Sequence, residues 1–376
     1  MTLIFEICGK KFEVENDFSS FFVVKSRLKD YDVEYRGGQD TSETVDALLT
    51  ENPKNVLFCD KRLYEKSKVK HPYTFMAEAN EDFKTIEGAT KLIDFLQESS
   101  FSKSENLIVV GGGTIQDVAA FVGGTFKRGI TWYFVPTTLL AMCDSCIGAK
   151  ASINYRGVKN QLGLFNAPNK VIINPNFISS LARTDISNGL GEILKLCLIG
   201  GHDSYSLYKK LVVDGNVESL DEYRRLILTA LAIKKAVIEV DEFDLGVRKV
   251  LNYGHTFGHA IEVITDYQIP HGQAIAIGML IVNDISARLG HMPTAINNDV
   301  RRRIFDLLSP ETTRIMSRFS SAQLEELLLK DKKTMSGKVN LVLVEEVGKT
   351  RLEPAEIDEQ FITTIDEIIA DNFKKS

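Results

Sequence analysis

The stretch Asn106-Leu-Ile-Val-Val-Gly111-Gly112-Gly113-Thr114-Ile115-Gln116-Asp117 decides how the first half of this chain folds. A short apolar run rich in β-branched residues ends in three glycines, and a helical pattern follows. Such a run, bounded by glycine, reads as a strand buried in a parallel sheet. The glycines allow close backbone approach to a ligand, and the helix start offers free N–H groups to an anion. The pattern G-G-G-x-x-x-D is not the G-x-G-x-x-G fingerprint. A tight strand-to-helix turn therefore explains it about as well as a dinucleotide site does.

The same texture recurs on both sides. Asn55-Val-Leu-Phe-Cys-Asp60, Thr131-Trp-Tyr-Phe-Val-Pro136 and Lys170-Val-Ile-Ile-Asn174 are further strand-like runs, and residues 85–97 carry helical periodicity. This alternation implies a doubly wound, Rossmann-like α/β domain over residues 1–175. Asp60, at the end of its strand, suits either a ribose hydroxyl or the cap of a following helix. Beyond the boundary the pattern becomes helical, over 187–198, 219–240, 258–265, 271–289 and 322–329, with a late strand at 340–344. A mostly α-helical second domain is expected over residues 176–376.

The chain has 376 residues, which is long for one core and favours two domains. Its formal net charge is −6 and it has no long basic run, which argues against a nucleic-acid partner. It has neither a leader pattern nor an apolar run long enough to span a membrane, so a cytoplasmic protein is expected. Cys143-Asp-Ser-Cys146 lacks the second cysteine pair of a zinc ribbon. The five cysteines read as reduced thiols.

Three of the six histidines fall within 17 residues. Asn252-Tyr-Gly-His255-Thr-Phe-Gly-His259-Ala-Ile-Glu262 places two imidazoles at i and i+4, on one helical face. His271-Gly-Gln follows at the start of the next helix. Catalytic zinc takes three protein ligands and keeps one position open, and Glu192 in Gly189-Leu-Gly-Glu192-Ile-Leu-Lys195 is the candidate carboxylate beside His255 and His271. Thr256 stands where H-E-x-x-H needs its glutamate, which disfavours a zinc protease. A single histidine would read as a helix cap or a satisfied core group; three in glycine-rich surroundings do not. His71, His202 and His291 read as surface residues. Lys150, Lys159, Lys195, Lys234 and Arg248 lie near these motifs in sequence, and a site with several fixed cations suits a doubly anionic substrate.

Taken together, Glu81-Asp-Phe-Lys84, Gly111-Gly-Gly-Thr-Ile-Gln-Asp117, Lys127-Arg-Gly129, Val135-Pro-Thr-Thr-Leu-Leu-Ala141, Asp144-Ser-Cys-Ile-Gly-Ala-Lys150, Lys159-Asn160, the Glu192 and His255 motifs, Asp241-Glu242 with Arg248, His271-Gly and Asp331-Lys-Lys333 resemble the 3-dehydroquinate synthase family of sugar-phosphate cyclases. The order holds from about residue 81 to 340. The resemblance implies a metal, Zn2+ with Co2+ as an alternative, on Glu192, His255 and His271. It implies NAD against Asp60, Glu81, Lys84, Gly112, Gly113, Asp117, Thr137, Thr138, Lys150 and Lys159. Substrate contacts are implied for Asp144, Lys150, Asn160, Lys195, Lys234, Arg248, Asn252, His259 and Lys332 or Lys333. Arg128 would reach the phosphate in a neighbouring subunit, making a homodimer. The implied reaction oxidises a sugar phosphate transiently with NAD, eliminates phosphate, returns the hydride and closes a carbocycle by an internal aldol step, as in the shikimate route to aromatic amino acids.

The chain departs from the family pattern at Gly148-Ala149-Lys150-Ala151, usually Gly-Gly-Lys-Thr, and at Leu164, usually Ala. It also departs at Gly191, usually Ala, and at Gln273, usually Glu. The competing readings are a cyclase of secondary metabolism or surface-sugar synthesis, a metal-dependent polyol dehydrogenase, and a silent binding relative.

Overall fold

The computed structural model describes residues 1–330 and 338–374. The chain opens with a hairpin, β1 (Thr2–Ile7) and β2 (Lys10–Glu15). Leu3, Phe5 and Ile7 alternate inward along β1, and Phe5 stacks on Phe12 across the pair. There follow β3 (Phe21–Val24), β4 (Tyr31–Tyr35), α1 (Thr41–Thr50), β5 (Val56–Asp60), α2 (Lys61–Lys66), β6 (Thr74–Ala77), α3 (Ile86–Glu98), β7 (Leu107–Gly111), α4 (Gly113–Thr125), β8 (Trp132–Pro136), β9 (Lys150–Tyr155), β10 (Val158–Phe165) and β11 (Lys170–Ile173). The remainder is α5 (Arg183–Ile199), α6 (His202–Leu211), α7 (Leu220–Val240), α8 (His255–Ile264), α9 (His271–Arg288), α10 (Thr294–Leu307), α11 (Pro310–Ser317), α12 (Leu324–Lys330), β12 (Lys338–Glu346), β13 (Lys349–Glu356) and α13 (Glu359–Phe373).

Two compact units result. One is Phe18–Leu181; the other joins Met1–Asp17 to Ala182–Ser376. The first holds a seven-stranded sheet of order β3-β4-β11-β8-β7-β5-β6, parallel throughout except for the edge strand β3. Its central strands are continuously apolar because both faces are covered: Leu107, Ile108 and Val109 are fully buried. The connection leaving β5 runs toward one edge and the one leaving β7 toward the other. This reversal opens a crevice beyond the carboxyl ends of β5 and β7, where ligands bind in doubly wound sheets. Asp60 and the Gly111–Gly113 turn sit at those two ends.

The second unit is mainly helical, as its sequence texture implies, but it also contains a four-stranded sheet of order β12-β13-β1-β2. Here the observed division differs from the expected 1–175 and 176–376. Residues 1–17 complete this sheet, with β1 parallel to β13, and the division near the middle falls at 181/182. Period-2 alternation in β1 and β2 marks strands but cannot reveal a partner more than 330 residues away, and β13 is too charged to read as a strand.

Capping chemistry sets the helix starts. Ser219 and Glu222 form a capping box on α7, and Ser309 followed by Pro310 opens α11. Helices α8 and α9 meet at backbone contact. A methyl group on Gly278 would collide with the Gly254 carbonyl oxygen, and one on Gly258 would lie 2.7 Å from the Ile275 side chain. Gly278→Ala should therefore cost about 3 kcal/mol of stability. Gly290→Ala, at a left-handed but uncrowded position, should cost about 1 kcal/mol. Urea unfolding of both variants checks this, and equal losses would refute the close-contact argument.

Candidate active site

In the first unit the glycine turn leads into α4 with Gly112 at its cap, and among the described residues no side chain caps the helix start. Thr137 donates its backbone N–H to Gly111 O at 3.0 Å, and a methyl on Gly112 would lie 3.0 Å from Thr138. Thr137 and Thr138 therefore flank the turn. Asp60 caps α2, its carboxylate accepting the Arg62 N–H at 2.9 Å. The capping reading of Asp60 is realised in this structure.

The hairpin β9–β10 turns at Arg156 and Gly157, both with positive φ, in the manner of a tight two-residue hairpin loop. It docks on the segment before α3: Asn154 donates to Glu81 at 2.8 Å, and Asn160 accepts from Lys84 Nζ at 2.8 Å. Lys84 is buried and pairs with Asp117 of α4 at 2.6 Å. Lys159 lies 4.0 Å from Glu81. Glu81, Lys84, Asp117, Lys159 and Asn160 thus form one network. Lys150 begins β9 with its side chain exposed, and Asp144 lies half-buried in a π-helical turn over Ala141–Ser145.

Arg128 is placed differently. Lys127, Arg128 and Gly129 all have positive φ, and Arg128 lines a cavity of about 350 Å³ that Lys29 and Lys103 also line, with no carboxylate in its wall among the described residues.

In the second unit α5, α8 and α9 bring Glu192, His255 and His271 together. Glu192 Oε1 lies 3.8 Å from His255 Nε2 and 3.6 Å from His271 Nε2. A tetrahedral ion with bonds of about 2.1 Å separates its ligands by roughly 3.4 Å, so this spacing fits a divalent metal. The carboxylate supplies a second test. Glu192 is 1 % exposed, yet neither oxygen accepts a hydrogen bond among the described residues, although Lys195 Nζ forms an ion pair with Oε2. Lys195 neutralises Oε2, but Oε1, which faces the two imidazoles, has no hydrogen-bond partner among the described residues, and a buried oxygen in that state suits a further cation. The residues present fit one.

His255 Nδ1 faces Tyr253 O at 3.2 Å, and the Tyr253 hydroxyl donates to Asn283 of α9 at 2.5 Å. His271 Nδ1 faces Glu262 at 3.3 Å. Burial pushes the His271 pKa down, but the Glu262 and Glu192 carboxylates outweigh it and the net direction is up. His259 is exposed and its ring packs against both other imidazoles. Lys195, Lys234 and Arg248 are buried cations, and Arg248 donates to the Glu242 carbonyl. Asp241 is raised by burial but drawn below the usual carboxylate range by the N–H groups of Leu245, Arg248 and Gly246. Asn252 ends the short helix before Tyr253. Lys332 and Lys333 lie outside the described residues. His71 and His291 are half-buried rather than surface residues, the first against Asn55 O at 2.6 Å, the second against Arg351 at 3.1 Å. Sequence reasoning assigned Glu262 no role, although positions 255, 259 and 262 share one helical face.

With this geometry in hand, comparison with known proteins is decisive. Residues 74–188 match the 3-dehydroquinate synthase N-terminal family and residues 189–334 the C-terminal family. The chain belongs to the 3-dehydroquinate synthase family. A 3-dehydroquinate synthase of Enterococcus faecalis is 36% identical over 276 residues, 73% of this chain and 75% of the relative. One of Campylobacter concisus is 29% identical over 350 residues, 93% of this chain and 96% of the relative. Among solved structures, a 2-deoxy-scyllo-inosose synthase complexed with carbaglucose-6-phosphate, NAD+ and Co2+ aligns with TM-score 0.80 at 22% identity, over 93% of this chain and 99% of that one. A 2-epi-5-epi-valiolone synthase from Streptomyces hygroscopicus with NAD+ and Zn2+ aligns at 0.73 and 22%, over 92% and 99%. These share the fold. Among the described residues no helix is long and apolar enough to cross a membrane.

The Lys84–Asp117 pair generates a prediction. Burial raises the Asp117 pKa and Lys84 opposes that rise. In Lys84→Met the carboxylate loses its counter-charge, and stability should fall by about 3 kcal/mol at pH 7. An acid whose folded pKa is raised binds more protons folded than unfolded. The loss should therefore grow as pH rises through that folded value and shrink, below the ordinary 3.8, to the part owed to the lost Asn160 hydrogen bond. Denaturant unfolding at pH 7 and pH 5 tests this, and a loss independent of pH would contradict it.

Proposed function

We propose that this chain is a phosphate-eliminating cyclase of the 3-dehydroquinate synthase type, converting a phosphorylated seven-carbon keto sugar acid to a carbocycle. The observation that carries the reading is the buried Glu192 carboxylate facing two imidazoles with Lys195 against it, in a chain whose family is established. When bound, a metal on Glu192, His255 and His271 supplies Lewis acidity, and NAD on the first unit supplies a reversible hydride acceptor.

The chain's own groups do the rest. The open N–H groups after Gly112 suit a pyrophosphate, and Asp60 retains a second carboxylate oxygen for a ribose hydroxyl. Glu81, Lys84, Asp117, Thr137, Thr138, Lys150 and Lys159 complete the nucleotide contacts. Lys195, Lys234 and Arg248, three buried cations, suit the carboxylate and phosphate of a dianionic substrate. Asp144, Asn160, Asn252 and His259 hold hydroxyl groups, and His259 is exposed enough to exchange a proton with substrate. Because the hydride returns to the same molecule, turnover should release inorganic phosphate stoichiometrically while NADH does not accumulate. Incubation with the seven-carbon phosphorylated keto acid, phosphate assay and product mass test the reading. Net NADH would instead mark a polyol dehydrogenase.

The same reading makes the enzyme a homodimer in which Arg128 clamps the phosphate of the neighbouring subunit. Its support is the strained turn that holds Arg128 and the acid-free cavity it lines beside Lys29 and Lys103. A guanidinium fork grips phosphate in a bidentate way, and a two-fold dimer lets each partner donate it. Arg128→Ala and His271→Ala should each be inactive alone. Mixed after subunit exchange, they should regain about a quarter of wild-type activity, since half the chains pair as heterodimers with one intact site each. No recovery despite proven exchange would exclude action in trans.

A further inference from the structure

We propose that Glu262 is the positioning residue that fixes which nitrogen His271 offers to a metal, and that it serves as a hydrogen-bond acceptor rather than a ligand. The inference rests on the ligand set Glu192, His255 and His271 put forward above.

Among the described residues, two groupings with metal-ligand spacing share His271. One is Glu192, His255 and His271; the other is His259, Glu262 and His271. They compete for one ring. His271 Nε2 points toward Glu192 at 3.6 Å, while Nδ1 points toward Glu262 Oε2 at 3.3 Å. A neutral imidazole carries a single N–H, so one nitrogen donates and the other keeps the lone pair that a metal needs. Between two carboxylates the tautomer is undecided by charge alone, and hydrogen-bond distance breaks the tie. Glu262 Oε2 lies within hydrogen-bond reach of Nδ1 at 3.3 Å, whereas Glu192 Oε1, 3.6 Å from Nε2, lies beyond it. Placing the proton on Nδ1 satisfies Glu262 and leaves Nε2 free for the first grouping. His255 is set the same way by a neutral acceptor, the Tyr253 carbonyl. Both imidazoles therefore offer Nε2, and the carboxylate behind His271 makes it the more basic ligand.

Once Nδ1 carries the proton, the second grouping has lost its shared ligand. The chain should bind one ion, not two.

The test titrates metal-free protein with Co2+ in competition with a chromophoric chelator, following the visible absorption of the bound ion. Wild type should take one ion per chain. Glu262→Leu, which has no acceptor, should bind 10- to 100-fold more weakly with the same stoichiometry. Glu262→Gln, whose amide oxygen still accepts from Nδ1, should stay within roughly 3-fold of wild type with an unchanged spectrum. Thermal unfolding of each metal-free variant checks that the fold persists. Should the Leu variant unfold, Glu262→Thr, too short to reach Nδ1, carries the same expectation.

Wild-type affinity in the Leu or Thr variant would overturn the proposal, as would a Gln variant no better than Leu. Two ions in wild type, with Glu262→Leu dropping to one at unchanged affinity, would make Glu262 a ligand and equally overturn it. Glu192→Ala separates the two levels of the argument: if it retains the ion, the ligand set itself is wrong.

Discussion

The metal-site geometry depends on backbone-to-backbone contact among three helices. Ligands on three separate helices meet within a few ångströms only if the helices approach closer than ordinary side chains permit. Gly278 lies against the Gly254 carbonyl, Gly258 against Ile275, and Gly272 against the backbone of Asn188. A methyl at Gly191 would sit 2.6 Å from Gly272 O. Each contact removes a Cβ where one would push α5, α8 or α9 outward. The polar groups then fix what the glycines bring close: Gly272 N–H donates to Asn188 Oδ1 at 3.0 Å, and Tyr253 reaches Asn283. Since the second and third ligands begin α8 and α9, a small shift of either helix changes the ligand spacing directly.

The nucleotide-binding candidates in the other unit are held by a different device. The reversal of strand order leaves a crevice at the ends of β5 and β7, and a polar network rather than close packing rigidifies its rim. Lys84 is the hub. It joins Asp117 on a helix to Asn160 on a hairpin, so one buried cation fixes two elements at once. Asn160 itself adopts a positive φ at the irregular pairing between β9 and β10, and its side chain accepts from both Lys84 and Ser152. Such strain persists where the surroundings over-determine the conformation.

Much of this was legible in the residues, for identifiable reasons. The runs at 55–60, 106–111, 131–136 and 170–174 are buried on both faces, so their apolar continuity marks them without an alignment. Glu192, His255 and His271 were legible because glycines flank them and two of the three share a short segment. What could not be read depended on distant partners. The pairing of β1 with β13 and the destination of Arg128 follow from tertiary contacts that leave no local period. Glu262 was within reach, since it lies on the face of His255 and His259. A glutamate on a helix is usually solvated, however, and only the approach of α9 makes it an acceptor for His271.

The departures from the family pattern are best understood as compensations in packing. Ala149 occupies a position with φ of 60°, where glycine would be free of strain, and it is buried beside Gly148, whose N–H is held by the Tyr31 hydroxyl at 2.9 Å. The enclosure offsets the strain. Gln273 is 1 % exposed and uses both ends of its amide: Nε2 donates to Ser187 Oγ at 3.0 Å, while Oε1 accepts from Ser309 N at 2.9 Å and Thr312 Oγ1 at 2.6 Å. A carboxylate could accept from the last two but has no proton for Ser187, whose own hydroxyl already donates to Thr184 O. The neutral amide thus ties the first turn of α9 to α5 and to the start of α11 at once. It does so within the same turn as His271, and on the α5 side about one turn from Gly191, where glycine in place of the usual alanine lets α5 and α9 touch. The two departures act together. A tighter α5–α9 contact and a fully used amide lock hold Glu192 and His271 at ligand spacing without adding a further negative charge to those of Glu192 and Glu262.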